Sequence, residues 1–129
     1  MKKILIVDDE PNIVMSLEYT FKKNNFEVFI ARDGQEALDI LKKQCPDIII
    51  LDVMMPMVDG FATLEQIKRE ERLKNCKVIF LSAKNKESDI EKGLSLGADL
   101  YITKPFSIKK LLDQVTALVG NSSKTSIID

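Results

Sequence analysis

The 129-residue sequence contains no histidine, which removes a histidine-based triad, an imidazole general base and a phosphohistidine from this chain. Cysteine is nearly as scarce. Cys45 and Cys76 lie far apart and form no Cys-x-x-Cys pair, so zinc has no ligand set. Both are expected to be half-buried reduced thiols of a cytoplasmic protein. Long apolar runs are also missing. The stretch after Lys2 and Lys3 ends at Asp8-Asp9, far short of a signal-peptide core, and no other run approaches a membrane span. Neither sign of charge dominates, with 19 basic and 20 acidic residues leaving a net charge of −1. Because the lysines and arginines are dispersed, direct binding to nucleic acid or to an anionic membrane is not expected.

What remains is an ordinary globular composition, 45% hydrophobic and 30% charged. A chain of this length forms about one domain and buries roughly two thirds of the surface its unfolded form exposes. Strand-like runs begin near Lys3, Glu27, Asp47, Lys77 and Asp99, with stretches of helical period between them. That alternation means βαβ units. The first helix starts at Pro11, carries Ile13, Leu17 and Phe21 on one face and stops at Asn24-Asn25. Asp33 with Glu36 is a capping box for the second, which has Ala37, Leu38 and Leu41 as its stripe. A third is expected from Phe61 to Glu71, a fourth from Glu87 to Leu96 ended by Gly97, and a fifth from Ser107 to Val119.

Ile48–Leu51 and Val78–Leu81 are apolar on both faces, as central parallel strands covered by helices are. Right-handed crossovers then favour an α/β, doubly wound (βα)5 fold with a five-stranded parallel sheet of order 2-1-3-4-5 and helices on both faces. The switch point falls between the first and third strands. The apolar runs stop at polar residues that form one set: Asp8 and Asp9, Asp52, Ser82, and Lys104 just past Leu100–Ile102. On neighbouring parallel strands these groups meet at the carboxyl edge of the sheet, where open α/β folds place their sites. Taken singly, each has a plain alternative: a capped helix start for Asp8-Asp9, a turn before Pro56 for Asp52, a turn or cap for Ser82 and a solvated loop charge for Lys104. None of these explains why acids end both strands at the switch point.

Asp8-Asp9, the run Leu51-Asp52-Val53-Met54-Met55-Pro56-Met57-Val58-Asp59-Gly60, Leu81-Ser82-Ala83, and Gly97-Ala98-Asp99-Leu100-Tyr101-Ile102-Thr103-Lys104-Pro105-Phe106 together resemble the receiver domain of bacterial two-component response regulators. The resemblance covers Lys3 to about Val119 and implies a flavodoxin-like fold. It implies Asp52 as the acceptor of a phosphoryl group from the phosphohistidine of a sensor histidine kinase or phosphotransfer protein. Mg²⁺ (or Mn²⁺) would be held by Asp8, Asp9, Asp52 and the backbone carbonyl of Met54, with Asp9 as the direct ligand. Lys104 and Ser82 would neutralise and hydrogen-bond the phosphoryl oxygens. A cis Lys104-Pro105 bond would aim the lysine inward, and Gly60 would permit a positive φ. Ser82 and Tyr101 would relay the change to the face of the fourth helix, fifth strand and fifth helix. Met54, Ala83, Lys84 and Pro105 would tune the pocket, with Met54 and Lys84 shielding the phosphoryl group and slowing self-dephosphorylation.

Residues 1–120 are expected to be the receiver unit and 121–129 a polar tail or the start of a linker to an output domain or effector. A phosphorylation-dependent homodimer is a further possible partner, although Leu100 and Gln114 stand where winged-helix relatives often carry Asp and Arg. On this resemblance the chain is no conventional enzyme; it catalyses only its own phosphoryl transfer and slow self-dephosphorylation. A haloacid-dehalogenase-like phosphatase would want an acid two residues after the nucleophile, where Met54 stands. A flavin carrier on the same topology would want a Ser/Thr/Gly-rich loop where acids stand here. A degenerate receiver that only docks would not need the full set of pocket residues.

Overall fold

The computed structural model describes residues 1–56 and 58–127, with side chains described as far as Gly120 and Met57 outside the described set. Five strands, β1 (Lys2–Val7), β2 (Phe26–Ala31), β3 (Ile48–Leu51), β4 (Lys77–Ser82) and β5 (Leu100–Thr103), alternate with helices α1 (Pro11–Lys23), α2 (Gly34–Leu41), α3 (Gly60–Arg69), α4 (Glu87–Ser95) and α5 (Ile108–Ile127). All pairings are parallel, in the order β2-β1-β3-β4-β5. This is the expected sheet, with β2 at its edge.

The period-two pattern of the central strands divides the core into two layers. Leu5, Val7, Ile49, Leu51, Val78 and Phe80 point to one face, where Ala37 and Leu41 of α2 and Phe61, Leu64 and Ile67 of α3 cover them. Ile4, Ile6, Ile48, Ile50, Ile79 and Leu81 point to the other, against Leu17 and Phe21 of α1 and Leu111 and Val115 of α5. At roughly 25 cal/mol per Å² of apolar surface, burial of these strands is a large stabilising contribution.

Local signals set the helix ends. Asn25 takes a positive φ of 69° after α1, a conformation asparagine tolerates. The Asp33 carboxylate accepts from the Glu36 amide at 2.9 Å, while the Glu36 carboxylate accepts from the Arg32 amide at 2.8 Å. The box therefore closes on the Arg32 amide, one residue before the cap residue. α3 begins at Gly60 under an Asp59 cap to the Ala62 amide at 2.9 Å. It ends at Arg69, and Glu71–Leu73 forms a separate 3-10 turn. Gly97, at φ 112°, terminates α4 as expected. α5 continues past the expected end at Val119 to Ile127. Gly120 weakens a helix by about 1 kcal/mol relative to Ala but does not stop it, and no proline follows. The side chains of the expected polar tail lie outside the described residues.

Candidate functional site

Asp8 and Asp52 follow β1 and β3 and extend the ladder: the Asp8 amide donates to Ala31 at 3.1 Å and the Asp52 amide to Val7 at 3.0 Å. Their side chains are therefore fixed by the sheet. Both are buried, as is Ser82 at the end of β4. Each of the three makes the same local hydrogen bond to the amide two residues on. Asp8 Oδ1 accepts from Glu10 at 2.9 Å, Asp52 Oδ1 from Met54 at 3.1 Å, and Ser82 Oγ from Lys84 at 3.2 Å. These are the turn roles that the residue types allow. They leave the second carboxylate oxygens free to face the pocket.

Lys104 fills that space. Its amide is held by the Ser82 carbonyl at 2.9 Å, and it precedes a cis bond to Pro105. Lys104 Nζ donates to Asp8 Oδ2 at 3.1 Å, to Asp52 Oδ2 at 3.4 Å and to Glu10 Oε1 at 2.7 Å. One ammonium thus faces three carboxylates, and the flanking acids hold its pKa well above the ordinary lysine value against the opposing effect of burial. For Asp8 burial prevails. Desolvation raises its carboxyl above the usual range, although the Glu10 amide and Lys104 favour the charged form.

Asp8, Glu10 and Asp52 present one oxygen each within 4.8 Å of one another. Three hard oxygen donors so close suit Mg²⁺ or Mn²⁺ and no soft metal. Glu10 was not expected in this group. It enters because it stands at the N-cap position of α1, on the turn that Asp8 braces, a consequence of turn geometry that a pair of aspartates in sequence does not announce. Asp9 is exposed and lines an outer groove with Asp8, Pro11, Val14, Met15 and Arg32. The structure does not bring it into the three-oxygen group.

The remaining expected residues surround the pocket. The Met54 side chain is 52% exposed. Ala83 and Pro105 border a recess beside Lys104 with Glu10, Ile13 and Phe106. Lys84 turns its ammonium to Asp89 at 3.8 Å. Tyr101 donates its hydroxyl to the Lys84 carbonyl at 2.8 Å, and burial, with Asp89 adding to it, raises its phenol above the ordinary value against a Ser82 hydrogen bond. Gly60 lacks the expected positive φ. Its role is close approach: a Cβ there would lie 2.1 Å from the Asp52 carbonyl oxygen. The expectation of two half-buried thiols is also corrected, since Cys45 is exposed and Cys76 buried. Cys45 ends up outside because it lies in the loop before β3, whereas Cys76 adjoins the buried start of β4.

Residues 4–116 match the family model described as the response regulator receiver domain. The chain belongs to this family. The alkaline phosphatase synthesis transcriptional regulatory protein PhoP of Bacillus subtilis (strain 168) is 41% identical over 121 residues, which are 94% of this chain and 50% of PhoP. The chain thus spans about half the length of that relative. The receiver domain of the Francisella response regulator 1452 superposes with a TM-score of 0.86 at 36% identity, covering 95% of this chain and 99% of that one. The receiver domain of the Pseudomonas aeruginosa PAO1 sensor histidine kinase PA1611, solved with a magnesium ion coordinated in its active-site cleft, is 27% identical with a TM-score of 0.84, covering 92% and 98%. As a receiver domain of two-component response regulators, the chain is a signalling domain with an acidic cluster at the carboxyl edge of its sheet. No helix among the described residues is long and apolar enough to cross a membrane.

Proposed function

We propose that this receiver domain is a phosphorylation-dependent switch in which Asp52 accepts a phosphoryl group from the phosphohistidine of a sensor histidine kinase or phosphotransfer protein. The observation that carries this reading is the lysine bridge: Asp52 Oδ2 and Asp8 Oδ2 share Lys104 Nζ at 3.4 and 3.1 Å in a cluster buried at the sheet edge. An Asp52 oxygen attacks phosphorus, the P–N bond breaks, and the electron pair leaves with the donor imidazole. Such transfer asks the protein mainly for positioning and charge neutralisation. Asp52 is positioned by the Met54 amide, and Lys104 supplies the compact cation for a phosphoryl oxygen. Ser82 turns its hydroxyl to another.

Asp8, Asp9, Asp52 and the Met54 carbonyl would hold Mg²⁺ or Mn²⁺, with Asp9 turning in from its exposed position as the direct ligand. When bound, the ion would supply charge neutralisation for the transfer. The magnesium in the cleft of the Pseudomonas receiver domain supports a divalent cation at this edge of the sheet. Once Asp52 carries the phosphoryl charge, Ser82 moves toward it, and Tyr101 leaves the Lys84 carbonyl for the space behind Ser82. The α4-β5-α5 face then presents a different surface to an output domain, an effector or a second copy of the chain. Residues 1–120 form the receiver unit in this reading, and the segment beyond is a polar tail or the start of a linker. Met54 and Lys84 shield the phosphoryl group, Ala83 leaves room for the donor, Pro105 aims Lys104, and the working location is the cytoplasm.

Intact mass after incubation with Mg²⁺ and acetyl phosphate tests the reading. One added phosphoryl group, absent in Asp52→Ala and in the presence of chelator, is expected. No addition to the folded wild-type chain would overturn it in favour of a docking module.

A further inference from the structure

The amino-terminal edge of the sheet, opposite the phosphoryl pocket, carries two free thiols. Cys45 lies on the segment leading into β3 and Cys76 lies just before β4. Between them the Lys77 amide donates to the Asp47 carbonyl at 3.0 Å, extending the β3–β4 pairing backwards. Buried Cys76 donates its S–H to the Pro46 carbonyl at 2.9 Å, and exposed Cys45 donates to the Arg72 carbonyl at 3.3 Å. The turn that carries Arg72 is pinned from both sides. The Arg72 guanidinium donates to the Leu41 carbonyl, and the Cys76 amide donates to Leu73 at 3.0 Å. The two thiols consequently flank one junction, Cys76 Sγ on the carbonyl of the residue after Cys45 and Cys45 Sγ on a carbonyl of the turn that leads into Cys76. The phosphoryl chemistry uses neither.

We propose that Cys45 and Cys76 form a redox-modifiable pair that a hydroperoxide converts into an intramolecular disulfide. The exposed Cys45 thiolate attacks the peroxide oxygen, the O–O bond breaks, and the other oxygen leaves as water or alcohol after taking a proton. Cys45 becomes a sulfenic acid. The Cys76 sulfur then attacks the Cys45 sulfur, the S–O bond breaks, and the departing hydroxide takes the Cys76 proton to leave as water. Two thiols lose two electrons and the peroxide gains two. Access sets the order. Burial, with the Cys45 neighbour adding to it, pushes the Cys76 thiol up to about 12, so it is a poor first nucleophile and acts as the resolving thiol. An S–S bond of about 2.05 Å would join two segments that the parallel ladder already holds together.

Treatment of the chain with submillimolar hydrogen peroxide, followed by denaturing alkylation and peptide mass analysis, tests the pair. The expected result is loss of both alkylatable thiols in the monomer, a Cys45–Cys76 cross-linked peptide, and recovery with dithiothreitol. Cys45→Ser should leave Cys76 alkylatable after the same treatment. In Cys76→Ala, the Cys45 sulfenic acid should persist long enough to be trapped by dimedone. The exposed Cys45→Ser site keeps the test free of folding defects. Over-oxidation of Cys45 with Cys76 still alkylatable, or disulfide-linked dimers in place of the internal cross-link, would overturn the proposal.

Discussion

Asp8 and Asp52 each divide their oxygens between a backbone amide and one shared ammonium, so removing Lys104 leaves two buried carboxylates facing each other. Lys104 is only 11% exposed and its two buried partners, Asp8 and Asp52, 3% and 5%, so solvent screens the repulsion poorly. Lys104→Ala should therefore cost about 3 kcal/mol in urea unfolding with chelator present. Added Mg²⁺ should return part of that loss by neutralising the same oxygens. An equal loss in both conditions would mean that the lysine acts through packing alone. Met54 sits beside the acceptor, yet its side chain is largely outside. Met54→Asn should leave the melting temperature unchanged and speed loss of the phosphoryl group several-fold, read as decay of the phosphorylated mass after donor removal. At this scale most of the pocket was legible in the sequence, because a polar residue that ends a buried strand has few other reasons to stand there. Glu10 was not, since its approach to Lys104 follows from its place on the turn into α1 rather than from its neighbours in the chain.

Among the elements, the loop between β3 and α3 depends on contact between backbones. A Cβ on Gly60 would lie 2.1 Å from the Asp52 carbonyl oxygen and 2.7 Å from Val53 Cα, and main-chain atoms cannot swing aside as a flexible side chain can. Gly60→Ala should destabilise by about 2–3 kcal/mol by thermal unfolding and lower the rate of phosphoryl uptake together with it, because the displaced strand end carries the acceptor. The reading of Gly60 as a positive-φ residue failed because close approach and conformational freedom both select glycine, and only the fold separates them. Strand and helix order were legible, since continuous apolar runs and 3.6-residue stripes are distinct periods. The end of α5 was not. Gly120 and the polar residues after it lower helix propensity without supplying a stop, and α5 reaches Ile127.

Over the whole molecule, the site couples proton, cation and stability. Burial raises the Asp8 carboxyl above its ordinary value, so the native state binds this proton more tightly than the unfolded chain does. For a raised carboxylate, ionisation costs stability above the folded pKa, and that cost is relieved as pH falls through the folded pKa toward the unfolded value. Asp8→Asn, which mimics the protonated form in shape and charge, should accordingly melt at a higher temperature than wild type at pH 7 in chelator. The gap should close as pH is lowered toward the ordinary carboxylate range. With Mg²⁺ the order should reverse at pH 7, because the wild-type chain gains the binding energy of an ion that the amide holds poorly. A gap that stays constant with pH would place the origin of the Asp8→Asn effect in packing. A gap that closes with falling pH in chelator and reverses with Mg²⁺ would tie the costly Asp8 charge to the pocket's capacity for the cation.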